Sequence, residues 1–381
     1  MKMIILGCGG RISEIIRECY KWSFDKLEIA GIVDPDKKRA LERIAPFYKK
    51  PEPPFFDSAK EAIEATNPDG VFIGTRCNLH TDYALEVMSY NIPMFIEKPV
   101  SINKEQALRL NAGMKKYKAQ AVCSFPLRVS PIIQSAKEII AAGKLGTVEH
   151  VQAVNNVSYG GIYYHAWYRD ESVTGGLWMQ KATHDFDYIM DLVGTAPVSV
   201  CAMDSKQIFK GDKPAGLRCG DCEENGYCPE CWFVMHHEKM DNSYGDGCCF
   251  AADTGNHDSG SAILRFPSGM HAVYSQNFIV RKSAGRRGAR LVGYKGTMEF
   301  NWNERELKFM SHSSSKIETH KLDTSGMGHA GGDMMLARNF LEVCNGKDSV
   351  SPLLAGVLSA WVCLHAEESS RTNKFIDIPA L

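Results

Sequence analysis

Met3-Ile4-Ile5-Leu6-Gly7-Cys8-Gly9-Gly10-Arg11-Ile12, close to the N-terminus, is the stretch from which the fold class can be read. Four apolar residues closed by a glycine predict a buried strand of a parallel sheet. Gly7 permits a tight turn, and Gly9 lets an anionic group approach the unpaired N–H groups that begin a helix. The helix follows, because Ile12, Ile15, Ile16 and Cys19 recur at helical spacing on one face. Gly10, Arg11 and Ile12 complete the turn, with Ile12 standing where G-x-G-x-x-G has its third glycine. A second apolar run, Leu27 to Val33, ends in Asp34. An acid there hydrogen-bonds the ribose 2′-hydroxyl of NAD and repels the 2′-phosphate of NADP, so NAD is the expected cofactor. Lys37, Lys38 and Arg39 lie just beyond and could soften that discrimination.

The alternation of strand and helix continues outward. Gly70 to Gly74 predicts a strand that opens into Thr75-Arg76-Cys77-Asn78-Leu79-His80, placed to face the nicotinamide half of the cofactor. Pro93 to Ile96 predicts another, closed by Glu97-Lys98-Pro99. Lys98 would emerge where a parallel strand ends, the edge at which open α/β sheets hold their ligands. Alternation at this pace predicts a doubly wound parallel sheet over residues 1–123. Residues 124–381 then form a second domain.

In that second part Gly175 to Asp187 carries the most chemistry. Gln180, Lys181, His184 and Asp187 lie three and four apart and would share a face of one helix. A histidine whose ordinary pKa is ~6.5 and a buried lysine lowered toward neutrality can share the proton of a reacting hydroxyl. Ser261 to Phe266, His271 to Phe278, Arg290 to Val292 and Thr297 to Phe300 read as antiparallel strands separated by glycine turns. Lys282 to Arg290 reads as a basic, solvated loop.

Gly7-x-Gly9, Asp34, Thr75-x-x-Asn78-x-His80 and Glu97-Lys98-Pro99 come in the order and spacing of the Gfo/Idh/MocA family of sugar and cyclitol oxidoreductases, which this chain resembles. The resemblance implies an α/β Rossmann domain followed by an α+β domain on a large, mostly antiparallel open sheet. It implies that Glu97 and Lys98 lie between cofactor and substrate, with Lys98 in proton transfer. The family's D-x-G-x-H-x-x-D is matched by Gln180-x-Ala182-x-His184-x-x-Asp187, with Gln180 in place of the first acid. His184 is then the proton partner of Lys98, and Lys181 a second ammonium beside the reacting hydroxyl. Arg128, Gln180, Asp185 and His329 fall where the resemblance implies substrate contacts. Family members commonly pair subunits through the second sheet, so a homodimer or homotetramer is expected.

Composition sets the remaining bounds. A formal charge of −1, with 44% hydrophobic and 23% charged residues, gives no electrostatic grip on nucleic acid or anionic membranes. No apolar run approaches the roughly 18 residues of a membrane span. The apolar run from Met3 meets a glycine turn too early for a signal peptide. Thirteen cysteines, an odd number, fit reduced thiols in a cytoplasm. Four of them, Cys219, Cys222, Cys228 and Cys231, form C-x2-C-x5-C-x2-C within an insertion at about 217–250, a spacing compatible with structural zinc.

These readings converge on an NAD-dependent enzyme acting on a hydroxyl of a carbohydrate or cyclitol. Two alternatives keep the same fold. In one, NAD is reduced and reoxidised within a single turnover that ends in elimination or glycosidic cleavage. In the other, the chain senses sugars without chemistry.

Overall fold

The computed structural model describes residues 1–23, 26–118, 120–236, 245–324 and 328–381. Residues 237–244 of the cysteine-rich insertion lie outside that set. Strands β1 (Lys2–Leu6), β2 (Glu28–Val33), β3 (Gly70–Ile73), β4 (Met94–Ile96) and β5 (Ala121–Cys123) form an all-parallel sheet in the order β2-β1-β3-β4-β5. Both faces are covered, so β1, β3, β4 and β5 read as unbroken apolar runs rather than alternating ones.

The C-terminal ends of these strands are level with one another. Gly7 N–H donates to Val33 O at 2.8 Å, Gly74 N–H to Leu6 O at 2.8 Å, Glu97 N–H to Ile73 O at 2.9 Å and Ser124 N–H to Ile96 O at 2.9 Å. Gly7, Gly74, Glu97 and Ser124 therefore open four loops on one edge of the sheet. The turn after β1 presses hard on the end of β3. A Cβ on Gly7, whose φ is +78°, would lie 2.6 Å from Thr75 Cα, and one on Gly74 would lie 2.5 Å from Ile12 Cβ. Gly74 thus supplies the closeness that the third glycine of the fingerprint gives elsewhere, which is how Ile12 can stand in its place.

The second sheet has nine strands: β6 (Val148–Asn156), β7 (Ser199–Ser205), β8 (Ser259–Arg265), β9 (His271–Asn277), β10 (Arg286–Gly293), β11 (Gly296–Asn301), β12 (Glu306–Ser311), β13 (Ile317–Lys321) and β14 (Ile376–Asp377). Their order is β13-β12-β11-β10-β6-β9-β8-β7-β14, antiparallel everywhere except between β6 and β9. This is the large, mostly antiparallel sheet expected. Residues 286–290 continue β10 from Arg286 rather than forming a solvated loop, and that moves Arg287 onto the sheet.

The two sheets are not independent bodies. The helix Leu353–Thr372 buries Val357, Ala360, Trp361 and Leu364 in a cluster shared with Val100, Ala107 and Leu110 of the first part. The helix Gly332–Val343 packs on the parallel sheet through Leu336, Ala337, Phe340 and Val343. Phe340 stands edge-on to Phe72 and Phe95, with centroids 5.0 and 5.8 Å away. A late stretch of sequence therefore completes the core of the N-terminal fold.

Adding a methyl at Gly74 forces the turn and strand apart, and over-packing of this kind costs about 1–3 kcal/mol. Gly74→Ala is expected to lose that much in urea unfolding. Gly226→Ala, whose new Cβ meets nothing within 4 Å, should leave the midpoint unchanged.

Candidate active site

The cofactor end is built by the turn after β1. The helix Gly10–Ser23 points its N-terminus at the level edge, where unpaired N–H groups favour anions. Asp34 closes the turn from the end of β2, accepting from Cys8 N–H at 2.7 Å through one oxygen and from Asp36 N–H at 2.8 Å through the other. Each oxygen keeps a lone pair for a ribose hydroxyl. Asn78 Oδ1 is buried with no hydrogen-bond partner among the described residues, as befits a group that meets a ligand. These residues fit a dinucleotide. Thr75 and Arg76 border the same edge, and the Arg76 guanidinium lies 3.9 Å above the Trp167 ring. His80 does something else: its ring nitrogens face Pro99 O at 2.7 Å and Thr75 O at 3.1 Å. Burial pushes its pKa down to about 4, so a neutral imidazole ties the β3 loop to the Glu97-Lys98-Pro99 loop.

Arg11 turns its guanidinium away from the glycine turn. It pairs with both carboxylate oxygens of Asp333 and lies 3.5 Å from Glu97 Oε1. Asp333 also accepts from His329 Nδ1 at 2.9 Å. Burial alone would raise its pKa, but the hydrogen bonds from His329 and Arg11 hold it below the usual carboxylate range. Glu97, deeply buried, is raised by desolvation against the pull of Arg11 and Lys98. His329 has a left-handed backbone (φ 44°) and is joined to the site through Asp333.

Lys98 lies just past β4, and its Nζ donates to Gln180 O at 3.0 Å. Gln180 belongs to a π-helical turn, Trp178–Ala182, that precedes the helix Thr183–Val193. The widened turn breaks the simple helical face expected for this motif. The Gln180 side-chain Nε2 donates to Thr174 O at 2.9 Å and Cys77 Sγ at 3.4 Å, and it is the main-chain carbonyl of Gln180 that meets Lys98. Lys181 turns to the Tyr159 hydroxyl, 2.5 Å away. His184 packs edge-on to Phe125 at 5.7 Å, and its Nδ1 is buried without a partner among the described residues. Asp187 faces Arg128.

Three cations crowd this pocket. Burial, then the Lys181 ammonium, pushes Lys98 down to about 8. Burial likewise lowers Lys181. His184 falls well below its ordinary value through burial and the charges of Lys98, Arg287 and Lys181, so it is neutral at physiological pH. Arg287 reaches in from β10, held by Asp185 Oδ1 at 2.8 Å. Asp185 is fully buried and accepts in addition from Asn155 at 2.7 Å and Tyr274 at 2.8 Å, so its carboxylate is spent on fixing Arg287. The Arg287 Nη2 is buried and has no hydrogen-bond partner among the described residues, a donor left for a ligand.

Comparison with known proteins now bears on this arrangement. Residues 1–125 match the model described as "Oxidoreductase family, NAD-binding Rossmann fold". Residues 133–299 match the GFO/IDH/MocA C-terminal domain. The chain belongs to the Gfo/Idh/MocA oxidoreductase family.

An oxidoreductase of Bacillus subtilis, YteT, is 27% identical over 350 residues, which is 81% of each chain. The scyllo-inositol 2-dehydrogenase (NAD(+)) of the same organism is 26% identical over 183 residues, 45% of this chain and 48% of that one. A solved levoglucosan dehydrogenase, in complex with NADH and levoglucosan, has the same fold over both whole chains, with a TM-score of 0.78 at 16% identity. As a family member this protein is an oxidoreductase with an NAD-binding domain.

Among the family's motif residues, Lys98, Lys181 and His184 come together at the level edge. Arg128 and Asp187 do not join them. Arg128 Nε donates to Asp187 at 3.0 Å and Nη1 to Val350 O at 3.3 Å, a buried group behind the pocket that Asp191 and Lys137 complete. Burial drives Asp187 up to about 7 against the pull of Arg128. Tyr159 and Arg287 belong to the pocket although no motif marked them. The basic run around Arg287 was the only signal in the sequence, and it pointed to solvent.

The cysteine insertion lies elsewhere. All thirteen cysteines are free thiols. Cys219, Cys222, Cys228 and Cys231 line one small cavity together with Cys248 and Cys249. Each C-x2-C closes a turn, Cys222 N–H to Cys219 O at 3.3 Å and Cys231 N–H to Cys228 O at 3.0 Å. Among the described residues the set whose donor atoms all lie within 4.8 Å of one another is a different one, His165, Glu230 and Cys249. No helix among the described residues is long and apolar enough to cross a membrane.

Arg128 is what holds the buried Asp187 carboxyl down, and breaking such a buried pair costs about 3–5 kcal/mol. Arg128→Met should lose that stability in urea unfolding, and adding Asp187→Asn should restore much of it. A substrate contact at Arg128 would instead raise KM with the unfolding midpoint unchanged.

Proposed function

We propose that this protein moves a hydride between a secondary hydroxyl of a sugar, sugar derivative or cyclitol and NAD. The observation that carries the reading is the crowding of Lys98, Lys181 and Arg287 around the buried His184, with Lys98 at the C-terminal end of β4. A pocket with unpaired donors and cationic walls suits a ring bearing several hydroxyls, and relatives named for inositol and levoglucosan support that class. Asp34, at the end of β2, supports NAD over NADP. The bound nicotinamide supplies the redox step by taking or giving the hydride.

The chain's own residues handle the proton and the alignment. Lys98, its amine held near neutrality by burial and by Lys181, takes the hydroxyl proton as the carbonyl forms. His184, neutral and packed on Phe125, hydrogen-bonds the same oxygen through its free nitrogen. Arg287 orients a second hydroxyl through Nη2. Gly7, Gly9, Gly10 and Asp34 hold the dinucleotide, and Glu97 keeps Lys98 in register through Arg11. The exposed apolar side chains Met203 and Ile263 on β7 and β8 support pairing of subunits through this sheet.

We also propose that zinc occupies the thiol-lined cavity of the insertion, on the support of six cysteines converging there. Metal analysis of the purified protein should give about one zinc per chain, and none would end that proposal.

Purified protein with NAD and a panel of sugars and cyclitols should develop the absorbance of reduced nicotinamide with one substrate class. Product formed without that absorbance would point to a hydride returned within the turnover. Because Lys98 acts as a base when deprotonated, oxidation should rise with pH through about 8 and then level off. Lys98→Met should lower kcat by about 10²–10⁴-fold, the usual worth of general acid–base catalysis.

A further inference from the structure

Gln180 leaves this site without the acid its motif usually carries, so a proton removed from substrate needs another way out. Lys98 passes nothing to Gln180, whose amide is committed to Thr174 and Cys77 and whose carbonyl only accepts. The deeply buried His184 is neutral, and its Nδ1 has no hydrogen-bond partner among the described residues. The next ammonium, Lys181, is different. Its Nζ donates to the Tyr159 hydroxyl at 2.5 Å and lies over the rings of Tyr159 and Tyr163, 4.4 and 5.1 Å from their centroids. Lys181 itself is buried, whereas Tyr159 is 59% exposed. One phenol therefore touches both the buried cationic pocket and bulk water.

We propose that Tyr159, coupled to Lys181, is the proton relay between this active site and solvent. The inference rests on the oxidoreductase reading above. In oxidation the substrate O–H bond breaks and its proton goes to the Lys98 amine, while the C–H bond breaks and its electron pair leaves as hydride to bound NAD. Lys181 hands one N–H proton to the Tyr159 phenolate and regains a proton from the Lys98 ammonium. The phenol then releases its proton to water, so one proton leaves per hydride transferred. The groups that face the phenol are consistent with a phenolate at working pH. Lys181 from the π-helical turn, Arg287 from β10 and Lys98 from the end of β4 all favour it, and Lys181 is the largest influence in bringing its pKa down to about 8. Tyr163 stays protonated and brings no charge, and the Asp185 carboxylate, which would oppose a phenolate, is paired with Arg287.

The test begins without substrate. Near-ultraviolet titration of the wild-type chain should reveal one phenol ionising near pH 8. That step should vanish in Tyr159→Phe and move upward in Lys181→Met. Turnover supplies the second measurement. Tyr159→Phe should bind NAD with unchanged affinity, judged by fluorescence, yet lose about tenfold or more in kcat, with the bend that Lys98 gives its pH profile moved below 8 because the phenol no longer raises that amine. A titration without the early phenol, or a Tyr159→Phe enzyme with wild-type kcat and pH profile, overturns the relay. A wild-type chain that shows the early phenol but oxidises no sugar or cyclitol overturns the oxidoreductase reading, and the relay with it, while leaving the Tyr159–Lys181 coupling established.

Discussion

The chain of buried charges Glu97–Arg11–Asp333 is the interaction on which the rest of the arrangement depends. It joins the helix after the glycine turn, the end of β4 and the start of the helix Gly332–Val343. Charges taken out of water survive only with partners, and removing one member strands the others. Here that requirement fixes three segments, distant in sequence, around the residue preceding Lys98. Phe340 on Phe72 and Phe95 adds apolar packing to the same junction. A lysine held this way cannot swing to water, and its amine can stay near neutrality.

The pocket beyond Lys98 follows the same logic with opposite sign. Lys98, Lys181 and Arg287 are brought together with a single carboxylate, Asp185, engaged directly, and that one is already shared among Arg287, Asn155 and Tyr274. Burial first, then the Lys181 ammonium at Lys98 and the Arg287 guanidinium at Lys181, keep the two amines from holding their protons as tightly as free lysines do. His184 stays neutral for the same reason. These cations are therefore crowded together in a buried place rather than each paired with an anion. Arg128 and Asp187, though they fall in or beside the same motifs, spend their charges on each other and steady the helix from behind.

Much of the fold was legible in the residues themselves. Met3 to Leu6 with Gly7 and Gly9, Asp34, and the strand before Glu97 gave the parallel sheet and its binding edge, because apolar runs and glycine turns act locally. Strands β8, β9, β10 and β11 of the second sheet followed from the apolar runs and glycine turns of the last third, whereas β7, β12 and β13 were not read. The π-helical turn at Trp178–Ala182 was not legible: three- and four-residue spacing assumes an unbroken α-helix, and the turn redirects Gln180, Lys181 and His184 separately. Arg287 was hidden because a basic run looks the same whether it continues a strand or lies in water.

The sequence by itself determined the Rossmann turn, the acid at the end of β2 and the placement of Lys98 at a strand end, since each depends on neighbours within a few residues. Tertiary structure alone decided which charges meet. Arg11 pairs with Asp333 beside Glu97, Gly74 makes room for Ile12, and Asp185 is consumed in holding Arg287. It also decided that Lys181 leans on Tyr159. These pairings join residues far apart in the chain, and burial makes each of them costly to leave unmatched.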